Sequence, residues 1–279
     1  MKYLNYSVLM CVYYKEKPEF FNEAILSILN QTLKTNNFVI VCDGPLTREL
    51  DEVLLKHVSE NKEITVVRLE KNQGVGAASQ FGLQYIKNEV LAKMDSDDIA
   101  DEHRMERELE IINSGFDVVG GAIAEFIGDK NNIVGVRMPP EKHDDIVQFS
   151  KKRNPVNNVT IMYKKSQILE VGGYLNANFL EDYTLDIKLI QYGRKFYNIQ
   201  DIMVFVRTND DQIKRRGDKK LRKGFKALRK MMLRDKYITR GEYIKYLFEG
   251  FMFMIMPGFI KKFLYKKYLR QGRNNEKIF

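Results

Sequence analysis

Leu91-Ala92-Lys93-Met94-Asp95-Ser96-Asp97-Asp98 decides the fold. Leu91 to Met94 is a short, largely apolar run of the kind a buried strand carries, and it stops in three carboxylates within four residues. Working back from it, three further runs have the same character: Ser7 to Val12, Phe38 to Cys42, and Ile64 to Leu69. The second ends at the turn Asp43-Gly44-Pro45. Helical patterns separate them. Pro18 opens a helix in which Phe21, Ala24, Ile25, Ile28 and Leu29 recur at helical spacing. Leu46 to His57 reads as a second helix. Gln73-Gly74-Val75-Gly76 opens a third, to about Ile86. Strands alternating with helices predict right-handed βαβ units in an α/β fold: a Rossmann-like, mostly parallel sheet flanked by helices. The continuous apolar runs predict strands covered on both faces.

Beyond Asp98 the rhythm changes. A helix from Arg104 to about Ile112 precedes Val118-Val119-Gly120-Gly121 and two β-like segments reaching Val136. Pro139-Pro140 breaks the chain, Val159 to Tyr163 reads as strand, Gly172-Gly173 as a turn, and Glu181 to Tyr192 as a helix. No internal repeat of 20–50 residues is visible.

The chain has 279 residues, 44% of them hydrophobic and 30% charged, as in soluble globular proteins. With 6 Pro and 18 Gly it is neither collagen-like nor low-complexity. Cys11 and Cys42 are too few for a disulfide scaffold or a cysteine zinc site, and His57, His103 and His143 cannot supply a His-rich metal centre. The N-terminus begins as a strand without a signal-cleavage pattern, which predicts a cytoplasmic protein.

Charge is unevenly placed. Residues 212–279 hold 21 Lys+Arg against 5 Asp+Glu, a net of +16, whereas residues 1–211 hold 25 against 32, a net of −7. The predicted organisation is therefore a globular main domain over 1–211 and a basic helical tail over 212–279. A nucleic-acid partner predicts basic residues on the main domain, where they are in deficit. An anionic membrane surface at the inner face of the cytoplasmic membrane suits the tail better.

Ligands of open α/β sheets bind outside the carboxyl ends of the strands, where Asp43 and Asp95-Ser96-Asp97-Asp98 both lie. Close carboxylates repel unless a cation or solvent separates them. Hard divalent cations, Mn²⁺ or Mg²⁺, are typically shared between one or two carboxylates and substrate phosphates. The acidic stretch thus reads either as a metal–diphosphate site or as a solvated turn ahead of the next helix. Gln73-Gly74-Val75-Gly76-Ala77-Ala78 allows close approach of a phosphate or, equally, tight packing on the sheet.

The ordered set Ser7-Val8-Leu9-Met10-Cys11-Val12-Tyr13, Ser27-Ile28-Leu29-Asn30-Gln31-Thr32, Val41-Cys42-Asp43-Gly44, Asn72-Gln73-Gly74, Ala92-Lys93-Met94-Asp95-Ser96-Asp97-Asp98, Gly172-Gly173-Tyr174 and Glu181-Asp182 resembles the family 2 glycosyltransferases of GT-A fold, over about residues 5–210. The opening Tyr13-Tyr14-Lys15-Glu16-Lys17-Pro18 is similar to the amylovoran-biosynthesis branch, whose members build O-antigen, capsule and exopolysaccharide and include several galactosyltransferases.

The resemblance implies an inverting, metal-dependent transfer of a single sugar, a hexose such as galactose, from a UDP-linked donor to a saccharide or polyprenyl-diphosphate-linked acceptor in bacterial surface-polysaccharide synthesis. It implies that Asp43 meets the uracil, Val12 and Tyr13 line the base pocket, Gly74 lies near the nucleotide-sugar, Asp95 contacts the ribose or sugar, Asp97 binds the metal, and Arg104 braces the donor site. Glu181 and Asp182 become the catalytic pair, with Asp182 the base and Glu181 its support or an acceptor contact. Read alone, both are charge complements of a helix start.

Two departures stand out. Asn158 occupies a place where related sequences often carry His. Gln212-Ile213-Lys214-Arg215-Arg216 lacks the Trp of the processive Gln-x-x-Arg-Trp motif, which argues for single-sugar addition. Lys214, Arg215 and Arg216 read as a diphosphate-closing loop or as a solvated linker. In the tail, Tyr243 to Ile260 is apolar but interrupted by Glu249 and Pro257, too short to span a bilayer. It reads as an interfacial helix with Lys261, Lys262, Lys266, Lys267 and Arg270 at the head groups, or as a helical hairpin packed on the catalytic domain or on another copy in an oligomer. The rival functions are a sugar-1-phosphate nucleotidyltransferase, against which residues 11–18 offer no glycine, and a non-catalytic membrane- or nucleic-acid-binding protein.

Overall fold

In the computed structural model, residues 4–174, 180–208 and 219–255 are described. The four apolar runs form β1 (Tyr6–Val12), β2 (Asn37–Cys42), β3 (Ile64–Arg68) and β4 (Val90–Asp95). They pair in parallel in the order β3-β2-β1-β4, with Met10 beside Ile40 on one side and Met94 on the other. Both faces of β1, β2 and β4 are dry, as the continuous hydrophobicity requires, while the edge strand β3 is partly exposed. Val8, Met10, Ile40 and Ala92 face one core, with α1 (Pro18–Leu29) and α2 (Arg48–Glu60). Leu9, Val39, Val41 and Leu91 face the other, with α3 (Val75–Gly82). Pro18 sits at the first position of α1, where its missing N–H costs nothing. Thr47 caps α2 by accepting from Leu50 N–H.

The second half completes a nine-stranded sheet. After the two-residue β5 (Ile99–Ala100) and α4 (Arg104–Asn113) come β6 (Val118–Phe126), β7 (Ile133–Arg137), α5 (His143–Ser150), β8 (Met162–Lys164), α6 (Lys165–Glu170), α7 (Glu181–Gln191) and β9 (Phe196–Arg207). The sheet order continues β4-β8-β6-β9-β5, with β7 paired to β6. β1, β2, β3, β4, β6 and β9 run one way and β5, β7 and β8 the other, so the sheet is mostly parallel.

Several sequence-predicted boundaries shift. α3 stops at Gly82 and continues as one tight turn to Tyr85. Of the strand read over Val159 to Tyr163, only Met162 and Tyr163 lie in β8; Asn158–Thr160 is a tight helical turn. Side-chain hydrogen bonds outcompete strand pairing there. Thr160 Oγ1 accepts from Gly121 N–H (2.9 Å), and Asn157 Nδ2 donates to the Gly121 carbonyl (2.8 Å).

Two tail helices, α8 (Lys219–Arg234) and α9 (Arg240–Ile255), follow. Leu228, Met232, Ile238 and Tyr246 form one buried cluster with Leu180, Tyr183 and Ile187. The described part of the tail therefore packs as a hairpin against α7. Residues 211 and 212, where the sequence divides the chain, lie outside the described residues, as do Lys214, Arg215, Arg216 and the basic run from Lys261 to Arg270. Among the described residues no helix is long and apolar enough to cross a membrane.

Candidate active site

The carboxyl ends of β1, β2 and β4 lie side by side, because Val12 pairs with Cys42 and Cys11 with Asp95. Asp43 and the acidic turn therefore share one sheet edge. Asp43 is buried, and its carboxylate accepts from the backbone N–H groups of Gln73 (2.7 Å) and Gly74 (2.9 Å). Gly74, at φ +91°, adopts a conformation that disfavours a side chain and lets the loop fold back onto Asp43. The Val12 side chain is sealed in the core at 1% exposure, so only its backbone is available at this edge, and its carbonyl accepts from Asp43 N–H. Tyr13 is half-buried, with its ring edge-on to Tyr14.

β9 holds the acidic turn from the other side. Arg207 N–H donates to Asp98 Oδ1 (2.8 Å) and its Nε to the Asp97 carbonyl (3.1 Å), while its guanidinium lies over the Phe20 ring at 3.8 Å and pairs with Glu23. Burial, reinforced by Asp95 and Glu16, raises the Asp97 carboxyl to about 7. Asp95 and Asp98 are raised as well, chiefly by burial. A hard divalent cation fits this donor set, because it would replace repulsion between oxygens with coordination. Among the described residues no three His, Cys, Asp or Glu side chains form a ready-made cation cage. Asp97 would hold such an ion together with substrate oxygens.

Arg104, which the resemblance has bracing the donor site, is set wholly in the core beneath it. It has no exposure; it pairs with Glu108 at 2.9 Å and donates to the Lys93 carbonyl at 2.9 Å. It braces β4 from beneath and offers no surface to a nucleotide. Arg104→Met leaves Glu108 buried without its cation. The expected cost is about 3–5 kcal/mol, measured by urea unfolding.

Opposite the acidic turn, α7 begins with Glu181 and Asp182. A Cβ on Gly76 would lie 3.1 Å from Glu181 Cγ, so the small residue brings the starts of α3 and α7 together. Asp182, Asp95 and Asp98 line one cleft of about 200 Å³ with Arg137, Asn154, Asn157 and Asn158. Burial is the main reason the Asp182 carboxyl rises to about 6; the Tyr183 N–H opposes the rise, and Glu181 and Asp95 add to it. Asn154 Nδ2 donates to Asp182 Oδ2 at 2.8 Å.

The structure thus brings Asp95, Asp98 and Asp182 into one cleft. Asp97 lies in the same turn, and Asp43 and Gly74 lie two strands away on the same edge. Sequence reading missed Arg207, Arg137 and Asn154. The apolar run Ile202-Met203-Val204-Phe205-Val206 was the available sign of a strand leading to Arg207.

This mixed α/β GT-A architecture is shared with solved structures. S. aureus TarS superposes with TM-score 0.66 at 15% identity, over 96% of this chain and 46% of that one. Its 1–349 fragment gives 0.64 at 15% identity, over 96% and 76%. The chain belongs to the family described as Glycosyl transferase family 2, which matches residues 7–170, and it is a glycosyltransferase. It is 32% identical to the amylovoran biosynthesis glycosyltransferase AmsE of Erwinia amylovora, over 94% of this chain and 98% of that one. It is also 32% identical to an Escherichia coli UDP-Gal:alpha-D-GlcNAc-diphosphoundecaprenol beta-1,3-galactosyltransferase, over 95% and 97%.

Proposed function

We propose that the protein adds a single hexose, with inversion, from a UDP-sugar to a saccharide carried on a polyprenyl diphosphate, in bacterial surface-polysaccharide synthesis. The observation that carries this reading is the shared cleft: Asp182 faces the Asp95–Asp98 turn across a space of sugar size. Likeness to the galactosyltransferase of E. coli supports the donor and acceptor classes.

In this reading Asp43 and the backbone around Val12, Tyr13 and Gly74 hold the nucleotide, Asp95 meets the ribose or sugar, and Asp97 holds Mn²⁺ or Mg²⁺. When bound, the cation neutralises charge on the departing diphosphate. Asp182 takes the proton of the acceptor hydroxyl as that oxygen attacks the anomeric carbon from the face opposite the diphosphate. Glu181 supports it from the same helical turn.

A thermal-shift panel of nucleotide-sugars with Mn²⁺ tests the donor, because ligands bound by the native state raise apparent stability by mass action. UDP-galactose is expected to shift the midpoint, and incubation with GlcNAc-diphosphoundecaprenol to yield a β-linked product by NMR. An α-linked product would refute inversion.

The base must be ionised to accept a proton. With Asp182 titrating at about 6, turnover is expected to fall tenfold per pH unit well below that value and to level off above it. A flat profile between pH 5 and 7 counts against Asp182.

The tail belongs to the same reading. On α9, Ile244, Leu247, Phe248 and Met252 are exposed along one face, opposite Tyr246, and Lys223, Lys226 and Lys230 are exposed on the adjoining α8. Exposed apolar side chains and cations on one hairpin suit an anionic bilayer surface. Replacing Ile244 and Phe248 with Ser is expected to weaken co-sedimentation with phosphatidylglycerol vesicles by ~10-fold or more, since burial of each such side chain contributes about 1.5–3 kcal/mol. Unchanged sedimentation would remove this face from the membrane.

A further inference from the structure

Asp182 sits on a helix, but its orientation is decided elsewhere. Asn154 Nδ2 donates to Asp182 Oδ2 at 2.8 Å, and Asn154 Oδ1 accepts from Val156 N–H at 3.4 Å, which fixes which edge of the amide faces the carboxylate. The segment carrying Asn154 is tied down by buried side chains. Asn198 Nδ2 donates to the Pro155 carbonyl (3.0 Å) and to the Pro140 carbonyl (2.7 Å). Asn157 is bonded to Gly121, as is Thr160, and Asn157 and Thr160 are both buried. Val156 is 1% exposed. Asn154 is thus a half-buried amide on a rigid platform, aimed at one oxygen of the carboxylate.

We infer that Asn154 is a positioning residue for transfer: it occupies Asp182 Oδ2 and leaves Oδ1 to receive the acceptor proton. The inference rests on Asp182 acting as the base. An amide N–H donates and has no proton-accepting lone pair, so it orders the carboxylate without competing for the proton. Because it bonds the charged form, it also makes the base easier to ionise. That matters in this cleft. The groups facing Asp182 are Glu181 and Asp186 from its own helix, Asp95 from β4, Asp98 from the acidic turn, Tyr163 from β8 and Arg137 from β7, so carboxyl groups outnumber cations. Among the described residues, Asn154 supplies the neutral side-chain donor in direct contact, beside the backbone N–H of Tyr183.

The test uses the full chain and two variants. Asn154→Ala deletes the donor, and Asn154→Asp is isosteric but places an acceptor against Oδ2. Selective ¹³C labelling of Asp carboxyls, with the Asp182 signal assigned by its loss in Asp182→Asn, reports titration without substrate. Loss of the donor is expected to raise the Asp182 midpoint by roughly half to one pH unit in Asn154→Ala. In Asn154→Asp the two carboxyls are expected to titrate in two separated steps. With UDP-galactose and GlcNAc-diphosphoundecaprenol as the probe pair, kcat is expected to fall ~10–100-fold in Asn154→Ala, with its acid limb displaced upward and calorimetric UDP–Mn²⁺ affinity within twofold of the parent.

An unmoved midpoint in a folded Asn154→Ala protein overturns the inference. So does a loss of kcat accompanied by lost UDP affinity and an unmoved acid limb, which marks a purely structural role. If Asp182→Asn retains turnover, the base assignment itself fails. If Asp182→Asn is inactive and Asn154→Ala is like the parent, only the role of Asn154 fails.

Discussion

Asp182→Asn is expected to fold, bind UDP with Mn²⁺ as tightly as the parent, and transfer sugar ~10²–10⁴-fold more slowly, the range a general base contributes. The substitution keeps shape and volume. Asn154 can still face the amide oxygen, so the cleft stays intact. What disappears is an oxygen able to hold a proton as the acceptor attacks. The effect falls on kcat, since nothing in the donor pocket changes. The buried carboxyl is raised to about 6 from its ordinary 3.8, so its ionised form costs the native state stability as pH rises through that interval. Asp182→Asn should therefore unfold at a temperature equal to or above that of the parent at pH 8. Lower activity with equal or higher stability distinguishes a catalytic group from a packing group. Near-parental turnover would disqualify Asp182.

Asp97→Ala is expected to remove metal-stimulated donor binding. In the parent, UDP affinity should rise on adding Mn²⁺; in the variant, calorimetry with and without Mn²⁺ should give the same weak binding. The sign of the stability change again separates function from folding. The Asp97 carboxyl stands at about 7, raised from 3.8 by burial and then by Asp95 and Glu16. Ionising it in the metal-free protein opposes folding progressively from about pH 4 to above pH 7. In the presence of a chelator at pH 8, Asp97→Ala should lose no stability, while the parent alone gains stability on adding Mn²⁺ and UDP. Equal gains in both proteins would remove Asp97 from the metal site.

The parallel half of the sheet was legible because its signals are local. Val8, Met10, Ile40 and Ala92 lie in continuous apolar runs, each bounded within a few residues by a turn or an acid. The second half was less legible. β9 carries Asn198, Gln200 and Asp201 within its twelve residues, which blurs both the continuous and the alternating pattern. Those amides have fold-specific partners: Asn198 bonds to the carbonyls of Pro140 and Pro155, and Gln200 to that of Pro139. Arg104 shows the opposite difficulty. The resemblance makes the Arg one turn beyond the acidic motif a brace of the donor site, and only the fold shows that it turns inward to Glu108 and Lys93.

By itself the sequence determined the alternation of strands and helices, the acidic turn at a strand end, the carboxylate pair opening a later helix and the concentration of positive charge in the tail. Each depends on residues close together in the chain, where periodicity and side-chain chemistry act directly. Tertiary structure alone decided which groups meet: Asp95 and Asp98 with Asp182 in one cleft, Asn154 against Asp182 across 28 residues, and Arg207 clamping Asp98 across 109. Those pairings follow from sheet register and from burial that forces distant polar groups to satisfy one another, and no local pattern encodes them.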